Sequence, residues 1–128
     1  MISRDLAGRL AEAGLTWTPA DGDRFWLPGR DLDDMVFLVS EMVVEVRDQP
    51  TGRVLAFNGT TEWALDSVET GAAVWLPSLE QLLAALGEAF VSLTARSGGH
   101  VVRLTDGSEH VDLTAEDAAA RALLAGLR

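Results

Sequence analysis

Residues 54–77, VLAFNGTTEWALDSVETGAAVWLP, connect two parts of the chain that differ in their predicted structure. The segment begins and ends with apolar runs typical of strands, and it contains Trp63 and Trp75, two of the four tryptophans. Large aromatic side chains commonly fill cores, so we predict that both tryptophans pack in one core. The segment would then hold the two parts of the chain together.

The middle of this segment concentrates polar side chains between its two apolar runs. An Asn-Gly pair ends the first run, and a threonine then caps a predicted short helix that reaches about Val68. Glu62 and Asp66 lie four residues apart on this helix, close enough to change one another's pKa. They are therefore candidate catalytic residues. The alternative is a polar helix start of the scaffold, with Arg47 or Arg53 neutralising the acids.

Before this segment, the pattern predicts one helix and several strands. An amphipathic helix is predicted over residues 4–13, between a Ser3 cap and a Gly14 stop. Residues 15–18 and 24–27 are β-prone on either side of a turn, which predicts a hairpin. The apolar run at 35–39 predicts a central strand buried on both faces, and the runs at 42–46 and 53–57 would continue it as a meander.

After this segment, the signals are more regular. Ser78 and Gln81 form a capping box that opens a helix, which Gly87 ends. Alternating runs at 89–95, 100–104 and 109–113 predict three strands, and Thr114 caps a closing helix. Residues 1–128 are thus predicted to be a single α+β domain, with a mainly antiparallel sheet, three longer helices and one short helix. The helix–strand–strand order at residues 3–27 and 78–104 suggests a repeated architecture.

The composition excludes several chemistries. The chain has no cysteine, and all ten of its basic residues are arginine. It therefore has no thiolate nucleophile, no Cys-bound zinc, no Schiff-base lysine and no P-loop lysine. We predict no cofactor.

The charge indicates which partners to expect. A net charge of −10 at pH 7 disfavours nucleic acid and anionic membrane surfaces, and it suits a basic protein partner. The start of the chain lacks the apolar core of a signal peptide, and no apolar run reaches the roughly 20 residues of a membrane span. A cytoplasmic protein is expected.

Two residue groups are candidate binding sites. His100 and His110 fall on neighbouring predicted strands, and Asp112 shares the face of His110, which is a conceivable cation site. Isolated histidines of this kind are more often simply exposed. Trp17 and Trp26 would lie opposite each other in the first hairpin as an exposed aromatic pair. Tryptophan is enriched at binding hot spots, so these two residues are candidate binding residues, together with Asn58, Thr61 and Glu62.

Three stretches carry a resemblance to a known family. FNGTTEWALDSV at 57–68, AVWLPSLEQLLAALG at 73–87 and GLTWTPADGDRFWLP at 14–28 resemble a family of small uncharacterised proteins from high-GC bacteria. Some of its members carry a pilus-assembly label. Pilus-assembly ATPases have a P-loop, and this chain has neither its glycine pattern nor a lysine, so the resemblance implies no function here. The part from Trp75 onward is similar in pattern to small α/β modules of phage-derived proteins.

Two functions from different classes follow from the sequence. The first is a non-enzymatic protein-binding or adaptor module that uses its acidic surface or an open sheet face. An immunity protein that neutralises a toxin is the specific form of this hypothesis. The second is an enzyme with a carboxylate site at Glu62 and Asp66. A concave site with a buried carboxylate would favour the enzyme, and an exposed apolar patch would favour the module.

Overall fold

The computed structural model describes residues 1–29, 35–39, 44–49, 52–57, 67–69 and 73–127. Contacts group the chain, which we predicted as one domain, into two compact units. The terminal unit consists of Met1–Thr16 and Leu76–Arg128, and the middle unit is Trp17–Trp75. In chain order the elements are α1 Arg4–Glu12, β1 Arg24–Trp26, β2 Phe37–Leu38, β3 Val44–Gln49, β4 Gly52–Phe57, β5 Ser67–Glu69, β6 Val74–Leu76, α2 Leu79–Leu86, β7 Phe90–Arg96, β8 Gly99–Leu104, β9 Glu109–Asp112 and α3 Ala115–Leu127.

The three longer helices are confirmed, and each begins at a predicted cap. The Ser3 hydroxyl accepts from the Leu6 N–H at the start of α1, and Thr114 Oγ1 accepts from the Asp117 N–H at the start of α3. At α2 both bonds of the Ser78–Gln81 capping box are present. These bonds satisfy amide donors that no helical carbonyl can reach. Within the described residues no helix is long and apolar enough to cross a membrane.

The terminal unit packs its helices on one face of an antiparallel sheet. Its strand order is β7-β8-β9, and the three strands and two turns match the predicted runs. Helix α3 lies on β8 and β9, and α1 and α2 pack against α3. The Ser3 N–H donates to Asp117 Oδ1 at 2.7 Å, so the starts of α1 and α3 are tied together. Leu10, Leu82 and Val102 are fully buried here. The chain is therefore α+β with three longer helices, as predicted.

The middle unit contains two small sheets, with strand orders β2-β1-β6 and β3-β4-β5. The predicted hairpin of residues 15–18 with 24–27 is wrong, because residues 15–18 form no strand and β1 pairs with β2 instead. This also removes the repeated helix–strand–strand architecture. Phe25 and Phe37 lie opposite each other in that pairing and stack, with ring centroids 5.4 Å apart. Burial of these rings therefore favours the pairing of β1 with β2 over the hairpin that the turn at residues 19–23 would have closed.

Two further strand predictions need correction. The run at 35–39 is not a doubly buried central strand, because β2 is the outermost of the described strands in its sheet and alternates buried Phe37 with exposed Leu38. The meander is confirmed only for β3 and β4, which pair from Val44–Phe57 to Gln49–Gly52. The predicted short helix cannot extend to Val68, since that residue pairs with Leu55 in β5. The rest of that helix, residues 60–66, lies outside the described residues.

Candidate functional site

The sheet of the terminal unit has an open face opposite its helices. The ladder register places Thr94 and Arg96 of β7, Val101 and Arg103 of β8, and Glu109 and Val111 of β9 on one face. The other face carries Asp112, whose Oδ2 binds Arg121 of α3, and this contact identifies the helix-covered side. We call the first set, together with Gly99 and Leu113, the open face.

Two aliphatic side chains on the open face are exposed. Val111 keeps 58% of its surface in solvent and Leu113 keeps 77%, whereas Val101 on the neighbouring central strand keeps 3%. Val101 has a strand on each side, while among the described residues β9 pairs only with β8. Val111 and Leu113 are therefore exposed because nothing described lies beyond β9. Two neighbouring exposed aliphatic groups make this part of the surface a candidate interaction site.

An ion pair crosses the open face above the central strand. Arg96 Nη2 on β7 donates to Glu109 Oε2 on β9 at 3.2 Å. These two strands flank β8, so the two long side chains pass over Val101, which lies between them on the same face. Their aliphatic stems help to bury Val101. Both partners remain about half exposed, so the pair contributes little to stability by itself.

A shallow depression lies beside this ion pair, where Gly99 leaves the face without a side chain. Gly99 pairs with Arg96 across the β7–β8 ladder. A Cβ at Gly99 would lie 2.6 Å from the Asp112 carbonyl oxygen, so the close approach of the two backbones requires glycine. The depression has a volume of about 300 Å³. Its lining consists of Arg96, Ser97, Gly98, Gly99, Val101, Val111, Asp112 and Leu113.

The three candidate metal ligands lie on one face of the sheet, but each of them contacts a different group of the protein. His100 lies directly opposite Asp112, and His110 lies opposite Val102, so the histidines are diagonal neighbours. His100 Nδ1 is 3.3 Å from the Leu113 carbonyl oxygen, and His110 Nε2 is 3.1 Å from Ser108 Oγ. Asp112 binds Arg121. Among the described residues no group of three or more metal-binding side chains is placed to hold an ion.

The Asp112–Arg121 contact gives a pH-dependent prediction. The hydrogen bond from Arg121 lowers the pKa of Asp112 below its ordinary value of 3.8, and the Leu113 N–H also lowers this pKa, while burial opposes both. A carboxyl pKa that is lower in the folded state stabilises the protein above pH 3.8, and this stabilisation is lost as pH falls through the folded pKa. In Arg121→Gln the Asp112 carboxyl carbon should titrate at higher pH in an NMR titration. Arg9→Gln, on α1, is the control and should leave the Asp112 titration unchanged.

The contact between Ser108 and His110 was not predicted, although the two residues are only two positions apart. Serine and histidine at 3.1 Å have the spacing of a nucleophile and its base. Asp106, two residues before Ser108, accepts from the Ser108 N–H at 2.8 Å, and this bond does not orient His110. Hydrogen bonds from Ser108 lower the pKa of Asp106. Asp106 and Ser108 therefore form a polar turn next to His110 of β9, and the Asp106 charge beside Ser108 would oppose a developing oxyanion.

The candidate tryptophans do not form the predicted exposed pair. Trp17 stacks on Trp75 with centroids 6.4 Å apart and planes 9° apart, and it also contacts Phe25. Its Nε1 donates to Asp23 Oδ2 at 3.0 Å. Trp26 lies on β1 and is partly buried. Trp17 therefore packs within the middle unit and does not form a hairpin pair with Trp26, while a binding role for these two residues stays a prediction.

The remaining candidates fall outside the described residues. These are Asn58, Thr61, Glu62 and Asp66, together with Trp63, so the carboxylate site and the tryptophan core contact stay predictions. Among the described residues, Asp23 is the buried charged side chain, and it accepts a hydrogen bond from Trp17. The exposed pair of Val111 and Leu113 was not among the predicted site residues, because the 109–113 run was interpreted only through His110 and Asp112. Its alternation of Glu109, Val111 and Leu113 was the available signal.

Comparisons with known proteins give no family. No protein-family model matches the chain, and neither a curated protein nor a solved structure is significantly similar to it. A function can therefore be proposed only from the geometry of the site.

Proposed function

We propose that this protein is a non-enzymatic protein-binding module that contacts its partner through the open face of the terminal unit. The observation that carries the proposal is the pair of exposed aliphatic side chains, Val111 and Leu113, beside the depression at Gly99. Such a surface offers exposed apolar area next to charged groups, and protein interfaces combine both. A partner side chain that fills the depression would contact Val101 and Val111 below it.

The charge supports a basic partner. The chain carries 20 acidic residues against 10 arginines, and the excess is concentrated in residues 17–75, with eleven acids against four arginines. Long-range attraction would speed the encounter with a basic protein and would disfavour nucleic acid. A cytoplasmic location of the protein is part of this proposal, and an immunity protein that neutralises a basic toxin is its narrower form.

The proposal predicts that one valine matters for binding and that a similar valine does not. Val111 and Val91 are both about half exposed, but Val111 lies on the open face of β9 whereas Val91 lies at the irregularity of β7. Val111→Asp should weaken capture of the partner from a lysate of the source cells by roughly 10- to 100-fold, because it removes about 1.5–3 kcal/mol of apolar burial. Val91→Asp should change capture by less than about threefold.

The measurement is quantitative mass spectrometry of proteins retained by each immobilised variant at two salt concentrations. Circular dichroism melts check that both variants fold. Equal retention by Val111→Asp and Val91→Asp would contradict the proposal. Retention that does not fall at higher salt would contradict the basic partner alone.

A further inference from the structure

We infer that the depression at Gly99 binds the C-terminal residue of the partner, and that this residue carries an aliphatic side chain. Its carboxylate binds Arg96, and its side chain packs against Val111 and Leu113. This inference rests on the proposed function and names the chemical group that enters the open face. A terminal carboxylate is a common target of arginine side chains and of polar turns.

The charge of the open face differs from that of the whole chain. Arg96 and Arg103 are its two cations and Glu109 is its one anion, although the chain has a net charge of −10. Asp112 also lines the depression, but its carboxylate is neutralised by Arg121 on the helix-covered side. An anionic group therefore meets a local excess of positive charge here. A basic partner can supply this group, because its chain also ends in a carboxylate.

Arg96 has hydrogen-bond donors left for a second carboxylate. It lines the depression, and its Nη2 donates to Glu109 Oε2 at 3.2 Å, which is the one hydrogen bond of its side chain to a described residue. A guanidinium group has five N–H donors and binds a carboxylate through two of them at once. Both members of the ion pair are about half exposed, so exchange of Glu109 for a partner carboxylate costs little. Ser97 also lines the depression, and its hydroxyl can donate as well.

The β9 side of the depression is apolar. Val111 and Leu113 line it and are 58% and 77% exposed, and the buried Val101 lies next to them. Gly99, on the strand between Arg96 and β9, contributes no side chain that would fill the space. The volume of about 300 Å³ is at the lower end for small-ligand sites, so it fits one residue better than a long acyl chain.

Other single residues match only one part of this depression. An aliphatic side chain within a partner segment would cover Val111 and Leu113, but it would bring no charge to Arg96. An aspartate or glutamate would meet Arg96, but it has no aliphatic branch for the β9 side. A C-terminal leucine, isoleucine or valine carries the carboxylate and the aliphatic group on the same Cα atom, and it therefore matches both parts.

The test compares three peptides. They are acetyl-Gly-Ser-Leu with a free C-terminal carboxylate, the same peptide with a C-terminal amide, and acetyl-Gly-Ser-Gly with a free carboxylate. Their binding to the ¹⁵N-labelled protein is measured by NMR from the Gly98 and Gly99 amide shifts. We expect the leucine acid to bind about tenfold more tightly than either of the other two peptides. The net charge of −10 by itself favours the amide, so tighter binding of the acid reports a local contact.

Three variants test the role of Arg96. Arg96→Gln should weaken binding of the leucine acid about tenfold, and Arg103→Gln, which removes the same charge from the same face outside the depression, by less than about threefold. Glu109→Gln should strengthen binding by about twofold to fivefold, because it removes the carboxylate that competes for Arg96. Circular dichroism melts check that each variant folds.

Any of four results would overturn this inference. They are no binding of the leucine acid at millimolar concentration, equal binding of the acid and the amide, equal effects of Arg96→Gln and Arg103→Gln, or weaker binding to Glu109→Gln. If Val111→Asp abolishes capture of the partner but the acid binds no better than the amide, the carboxylate contact fails and the proposed function stands. If neither partner capture nor peptide binding depends on Val111, both fail.

Discussion

Phe25→Ala should lower the free energy of unfolding by about 3–5 kcal/mol, the range for a large aromatic side chain removed from a core. Phe25 is fully buried on the central strand β1. Its ring stacks on Phe37 at 5.4 Å and contacts Trp17 at 5.5 Å, so truncation leaves a cavity between two aromatic partners. Urea denaturation followed by far-UV circular dichroism measures the change.

Leu38→Ala on the neighbouring strand is the control for this prediction. Leu38 is about half exposed at the edge of the same sheet, so its truncation should cost less than about 1 kcal/mol. A Phe25→Ala cost as small as that of Leu38→Ala would mean that the aromatic cluster does not form the core of the middle unit.

Asp23→Ala is expected to lower the free energy of unfolding by about 2–4 kcal/mol. The buried Asp23 carboxylate accepts from Trp17 Nε1 at 3.0 Å and from the Ala20 N–H at 3.1 Å. Alanine would leave both donors without this acceptor, and a hydrogen bond to a charged group contributes about 1.5–3 kcal/mol. Denaturation by urea again gives the value, and Trp17 fluorescence should change as its indole loses the hydrogen bond.

Two further variants separate the hydrogen bonds from the charge. Asp23→Asn keeps an oxygen acceptor and should cost less than Asp23→Ala. Asp21→Ala removes an exposed carboxylate two residues away and should change stability by less than about 0.5 kcal/mol. If Asp21→Ala and Asp23→Ala cost the same, the loop around Trp17 is not organised by Asp23.

The terminal unit could be predicted from sequence because its signals are local. Caps at Ser3, Ser78 and Thr114 mark helix starts by bonds that span only three residues. Strands β7 to β9 follow one another through short turns, so sequence order equals spatial order. Helix capping and hairpin formation each depend on residues that are close in sequence, so the local sequence pattern is enough to predict them.

The middle unit was harder to predict because its pairings are not local. Strand β1 joins β2 and β6, which is separated from it by about fifty residues of sequence. Nothing near Trp17 in sequence indicates that its partner is Trp75. The β-prone residues 15–18 predicted a strand, but aromatic packing and the hydrogen bond to Asp23 hold Trp17 in a loop.

The candidate site was predictable only in part. The sequence located a strand at 109–113 and named an open sheet face as one possible binding surface. It could not show that β9 is the outermost described strand of its sheet or that Gly99 leaves a depression, because these depend on strand order and on register. The carboxylate site at Glu62 and Asp66 is still a sequence prediction.

The central claim is that the partner contacts the open face, and methyl NMR tests it most directly. Val101, Val111 and Leu113 report on the open face, while Val102 and Leu104 on the helix-covered face are internal controls. On addition of the captured partner, the Val111 and Leu113 methyl signals should shift most, with Val101 following and the two controls unchanged. Unshifted Val111 and Leu113 signals at saturating partner would contradict the account.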